Sequence, residues 1–189
     1  MKKYISIFLV IVMVLSLAAC SSFDKKPSET DEKPGTDVIV EPSPKTDEKE
    51  AALYFANKKY VETGDEKLEK LISEKRIVKY GDISLEEAVV RELMKGPESS
   101  ELATEIPSSA KLISVELADG TAFVNFAQEG LYGGSLQETF TISQIVNSLM
   151  ELGSIKRVQF MIDGKKAETL MGHIYTMGAF EEKVEFFTD

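Results

Sequence analysis

Lys111-Leu112-Ile113-Ser114-Val115-Glu116-Leu117-Ala118, then Asp119-Gly120, then Thr121-Ala122-Phe123-Val124-Asn125-Phe126 spell out a β-hairpin. Asp-Gly between two strand-like runs tolerates the positive φ angles that a tight two-residue turn demands. Ile113, Val115 and Leu117 alternate along the first run, and Ala122, Val124 and Phe126 along the second. One face of the hairpin is therefore expected in the core.

Working outward, the glycine-rich loop Glu129-Gly130-Leu131-Tyr132-Gly133-Gly134 leads to Ser135-Leu136-Gln137-Glu138, which has the S-x-x-E form of a capping box. Ile142, Ile145, Val146 and Leu149 then repeat at helical spacing until Gly153. Val158, Phe160 and Ile162 alternate as a strand that turns at Asp163-Gly164, and Ala167–Leu170 is expected to pair back. Upstream, Ser84-Leu85-Glu86-Glu87 is a second S-x-x-E box, followed by the stripe Leu85, Ala88, Val89, Leu93. Glu87 and Arg91 form an i,i+4 pair on its outer side, and Gly96-Pro97 stops the helix, with Gly96 in a left-handed position. Lys70–Lys79 reads as extended, with a helix over Glu66–Ile72 as the alternative, and Leu53-Tyr54-Phe55 reads as a short strand. Two helices with one apolar stripe each fit best on one face of a mostly antiparallel sheet. The expected fold is an α+β two-layer sandwich over residues 51–189, with the last fifteen or so residues unassigned.

The beginning of the chain reads differently. Met1-Lys2-Lys3 precedes an uncharged apolar run from Ile5 to Leu15, closed by Leu17-Ala18-Ala19-Cys20. The run is shorter than the roughly 20 residues a spanning helix needs, which favours a secretory signal over a single-pass anchor. Leu17-Ala18-Ala19-Cys20 resembles the lipobox of bacterial lipoproteins, in which the chain is cut before the cysteine and its sulfur carries acyl chains of the palmitate type. Residues 1–19 are then a signal peptide and Cys20, the only cysteine, a lipid attachment site. Two such chains, at roughly 0.8 kcal/mol per buried CH₂, would hold a protein to a membrane with on the order of 20 kcal/mol. Residues 20–50 carry Pro27, Pro34, Pro42 and Pro44 among charged and small residues, the composition of a disordered linker.

Composition narrows the chemistry. The 189 residues hold 22 Lys and Arg against 32 Asp and Glu, a net charge of −10, which argues against a nucleic-acid partner. One His and one Cys cannot build the usual zinc or iron–sulfur site, and no metal or cofactor is expected. A nucleophilic triad would need His173 as its base, yet no G-x-S-x-G accompanies it, so a structural role is expected. Glu86-Glu87 and Glu181-Glu182 are adjacent pairs that diverge by about 100° on a helix rather than flanking a bond. Gly130, Gly133 and Gly134 match neither phosphate-loop pattern. Leu131 and Tyr132 among those glycines read as an exposed apolar pair, so Leu131, Tyr132, Gly133 and Gly134 form a candidate partner-binding loop.

Several pieces in order are similar to the GerMN domain. They are Leu53-Tyr54-Phe55, Ala88–Leu93 with Met94-Lys95-Gly96-Pro97, Ile106-Pro107, Ala122–Phe126, Gly134-Ser135, Thr141–Leu149, Val158-Gln159-Phe160 and Asp163-Gly164. The likeness covers nearly all of residues 51–175 as one copy. It implies an α+β fold akin to the small units of ring-shaped envelope assemblies, in lipoproteins linked to sporulation and spore germination. It also implies a binding or assembly module with no established catalysis and no catalytic residues to carry over. The expected protein is held at the extracytoplasmic face of the cell membrane through Cys20. Its expected partners are envelope or spore-assembly proteins or peptidoglycan. A peptidoglycan hydrolase, or an accessory to one, is the alternative, and a solute-binding lipoprotein would need a larger, two-lobed chain.

Overall fold

The structure, a computed structural model, describes residues 46–185. The signal segment, Cys20 and nearly all of the expected linker lie outside the described residues. The elements in order are β1 (Asp47–Asn57), α1 (Lys58–Thr63), β2 (Leu71–Tyr80), α2 (Leu85–Lys95), β3 (Leu102–Ala103), β4 (Leu112–Ala118), β5 (Thr121–Phe126), α3 (Ser135–Met150), β6 (Arg157–Ile162) and β7 (Lys165–Lys166). The α+β class holds, and antiparallel pairing dominates. The strands divide into two sheets, ordered β2-β1-β3 and β4-β5-β6-β7, in place of the single sheet expected. Among the described residues only β5 and β6 pair in parallel, because α3 carries the chain back between them as a crossover.

Each element follows from local chemistry. The Ser84 hydroxyl accepts from the Glu87 amide at 3.1 Å and caps α2, and Glu87 pairs with Arg91. Asp119 and Gly120 have φ of 49° and 72°, the two positive values the hairpin turn requires. Two readings need correction on β4. A bulge between Leu112 and Ser114 puts Leu112 opposite Phe126 and leaves Ile113 exposed, while Leu117, at the edge, is exposed too. Only Val115 of the expected trio enters the core.

Other differences are smaller. β1 begins at Asp47, so Asp47–Glu50 of the expected linker pair with Ile77–Tyr80. Lys70–Lys79 is extended as read, but the helix in that neighbourhood is α1, capped by Asn57, whose side chain accepts from the Lys59 amide. Gly96 has φ 92° with an extended ψ of 173°, so it ends α2 without the left-handed turn. The strand returning from β6 is Lys165–Lys166, not Ala167–Leu170.

The main core joins both sheets. Leu53 and Phe55 of β1, Val89 and Leu93 of α2, Val124 and Phe126 of β5, Ile145 and Leu149 of α3 and Phe160 of β6 are fully buried. A smaller cluster of Ala56, Tyr60 and Phe140 fixes α1. Arg76 ties the first sheet to its helix. From β2 it donates to Glu74 at 2.6 Å, to Glu92 of α2 at 3.1 Å and to the Gly96 carbonyl at 3.1 Å. Glu74 in turn accepts from the Glu98 and Ser99 amides. Burial would raise the Glu74 carboxyl, but the Arg76 hydrogen bond and those amides outweigh it and hold it below the ordinary range. Burial is likewise outweighed at Glu92, by hydrogen bonds from Lys95 and Arg76.

Arg76→Met is therefore expected to cost about 3 kcal/mol in urea unfolding, because it takes their shared guanidinium from two partly buried carboxylates. Lowered carboxyls stabilise the fold above their unfolded-state value, so this cost is largest at neutral pH and shrinks as acid protonates Glu74 and Glu92. Glu105 behaves oppositely, since burial alone raises its carboxyl. Its contribution is full below the unfolded-state value and is lost as pH rises through the folded one. Glu105→Gln is expected to raise the neutral-pH unfolding midpoint and to leave the acid midpoint unchanged.

Candidate functional site

The site is assembled at the start of α3. Ser135 is the first helical residue, and the helix N-cap is Gly134, which offers no side chain. The S-x-x-E reading at Ser135 is thus overturned: Glu138 does not fold back onto its own helix. Its carboxylate is fully buried and turns to a distant loop. The amides of Leu170 and Met171 donate to Oε1, both at 2.9 Å, and the His173 amide donates to Oε2 at 2.8 Å. No cation hydrogen-bonds or ion-pairs with Glu138 among the described residues. Three aligned amide dipoles supply what a basic side chain would elsewhere.

This clamp draws the segment 167–178 against the glycine-rich loop. The ring of His173 completes the contact: Nε2 lies 3.2 Å from the Gly133 carbonyl, which can only accept, so that nitrogen carries the proton. A Cβ on Gly133 would meet the Met171 sulfur and the Gln137 side chain at about 3.0 Å or less. Gly130 has φ 89°, and a Cβ there would fall 2.0 Å from the Ser109 carbonyl oxygen. The Ser109 hydroxyl donates to the Gly130 carbonyl at 2.8 Å. Gly130 therefore permits close packing on the Ser109 backbone and Gly133 on the side chains of Gln137 and Met171.

The expected exposed pair is split. Leu131 is buried in the main core, whereas Tyr132 is 68% exposed. Gly133 sits at the contact between the loops and Gly134 at the helix start. Leu136, 47% exposed, and Tyr175, 71% exposed, join Tyr132 on the surface of this region. Sequence reading missed Tyr175 and the role of Glu138. The available signal was the run Thr169–Phe180, which has no Asp, Glu, Lys or Arg in a chain 29% charged.

Catalytic arrangements find no support in these positions. His173 makes no hydrogen bond to a hydroxyl or thiol among the described residues. Glu86 accepts weakly from Ser154, and Glu87 is engaged by Arg91 and the helix cap. No cluster of three or more His, Cys, Asp or Glu among the described residues could hold a metal ion. Three open grooves of about 620, 410 and 330 Å³ are lined by other segments, with lysines and glutamates mixed in the larger two.

A family model described as Germane, sporulation and spore germination, matches residues 52–168, well over half of the chain. The chain belongs to the Germane family. The GerMN likeness read in the sequence therefore holds. The Germane fold is also seen in the first GerMN domain of the sporulation protein GerM from Bacillus subtilis. That domain is 16% identical, with a TM-score of 0.55, covering 68% of this chain and 93% of that one. The tandem GerMN domains of the same protein align at 23% identity and a TM-score of 0.48, over 71% of this chain and 43% of that one. A candidate lipoprotein from Clostridium perfringens aligns at 19% identity and 0.47, over 79% and 93%. No curated protein matches the sequence.

Removing the Germane domain's clamp leaves three amides without their acceptor. Glu138→Ala is expected to destabilise the fold by about 3 kcal/mol, at 1–3 kcal/mol for each orphaned buried group and with partial rescue by water. Hydrogen exchange should quicken first at Leu170, Met171 and His173, while the β5 amides stay protected.

Proposed function

We propose that this protein is lipid-anchored at the extracytoplasmic face of the cell membrane. Its Germane domain is a non-catalytic binding or assembly module, acting in sporulation, spore germination or envelope maintenance through protein or peptidoglycan contacts. The family match over residues 52–168 carries this reading. The lipobox-like Leu17-Ala18-Ala19-Cys20 after an uncharged apolar run supports the anchor. No helix among the described residues is long and apolar enough to cross a membrane.

The geometry supports binding over turnover. The loops joined by Glu138 carry exposed tyrosines and bring no pair of catalytic groups together among the described residues. Rigid loops with amphipathic aromatic side chains suit a partner surface. Metabolic labelling with a clickable palmitate analogue tests the anchor. The native chain should take up label and fractionate with the envelope, and Cys20→Ser should do neither; a Cys20→Ser chain that still labels overturns the assignment.

A further inference from the structure

Past Gly178 the chain is fastened to the domain by Phe180, Lys183 and Val184 in turn. Phe180 exchanges both backbone hydrogen bonds with Val158 of β6, at 2.8 and 2.9 Å, and sets its ring edge-on to Phe160. The Lys183 ammonium pairs with Glu151, just past α3, and lies 5.2 Å from the centre of the Tyr54 ring. The Val184 amide donates to Asn147 Oδ1 at 2.8 Å, and its carbonyl accepts from Asn147 Nδ2 at 3.2 Å. From Lys183 to Val184 the contacts thus step from Glu151 to Asn147, about one turn back along α3. This strap runs antiparallel to the helix, toward the helix start.

The described chain ends at Glu185, which itself lines the open groove of about 410 Å³ together with Tyr54, Lys70, Leu71 and Asn147. Next in the sequence come Phe186 and Phe187, outside the described residues. Alternation decides between them. Lys183 and Glu185 are exposed, whereas Val184 between them is half-buried against the main core. Residues two apart on an extended segment share a face, so Phe186 falls on the side of Val184. It lies about 7 Å further on, at roughly 3.3 Å per residue, or a little over one turn of α3. Asn147 and Phe140 lie on one face of that helix, so this step leads from Asn147 toward Phe140. Leu71 packs against Phe140 in the smaller cluster and also lines the groove. A ring one peptide bond from the groove competes for it at an effective concentration on the order of millimolar or above, which a free partner rarely matches.

We propose that this groove is a docking site for the protein's own chain, with Phe186 seated against Tyr54 and Leu71 and Phe187 directed outward. Seating the ring extends the strap from the main core onto the smaller cluster and removes apolar surface from water at both partners. The groove is then filled from within and is not a place for a small ligand or a second protein. This inference goes beyond the binding-module reading and does not depend on it.

The test uses the full chain in a polyoxyethylene detergent, with the photocrosslinker p-benzoylphenylalanine in place of Phe186. Irradiation is expected to join that position to Tyr54, Lys70 or Leu71 of the same chain, read as a product of monomer mass and mapped by its peptides. Hydrogen exchange gives the second readout. Phe186→Ala should quicken exchange at the Val184 amide about 10-fold, and Phe186→Leu should restore most of the protection. Phe187→Ala should stay within about twofold of the native chain, and the β5 amides should be unchanged in all three variants. Crosslinks from position 186 to a second chain, to detergent alone or to other parts of the domain would overturn the proposal. So would an unchanged Val184 amide in Phe186→Ala, or a larger effect from Phe187→Ala than from Phe186→Ala.

Discussion

A helix buried on every side must find partners for its polar residues, and α3 finds them in loop backbone and at one strand position. From Phe140 to Leu149 every residue of α3 is buried. Its apolar positions pack against the strands, while its polar ones take the place of missing backbone partners. Thr141 donates to the Glu105 carbonyl, and Gln144 accepts from the Glu105 amide. Asn147 pairs with both the amide and the carbonyl of Val184, as a strand would. Ser148 accepts from the Tyr54 amide, and Glu138 takes three amides of the loop after β7. Without these groups, four stretches of backbone would carry unsatisfied donors and acceptors into the interior, each costing roughly 1–3 kcal/mol. The helix thus organises loops as much as it organises the core.

That double duty explains what could be read from residues alone. The apolar stripe Ile142, Ile145, Val146, Leu149 identified α3 correctly, as the S-x-x-E box identified α2 and Asp-Gly identified the hairpin. Periodicity, however, treats a polar residue between apolar ones as solvent-facing. Thr141, Gln144 and Asn147 follow Glu138 at intervals of three, a polar stripe just as regular, and its partners are main-chain groups that leave no trace in sequence. The same limit hid β3, which is two residues long and held by a single short pairing. α1 is capped by Asn57 and Gly64, but its six residues are too few to show a period.

The candidate site was half legible for a related reason. Glycines around Leu131 and Tyr132 pointed to the right loop, but spacing cannot say which of two adjacent apolar side chains turns inward. Leu131 fills the core and so fixes the direction of Tyr132. The second loop was marked by its lack of charge, but its place beside the first depends on a carboxylate thirty-odd residues away. Glu138 had a plausible local duty, and only the position of the helix start one residue earlier than read shows that the duty lies elsewhere.

β1 is also the strand by which the domain is joined to everything before Thr46. It pairs with β2 at ten successive positions, from Asp47 with Tyr80 to Ala56 with Leu71, and its far half is buried. A pull on the preceding chain, directed along this strand, loads those pairs together in shear instead of peeling them one by one. Mechanical tension reaching the domain from that side therefore meets the longest strand pairing among the described residues first.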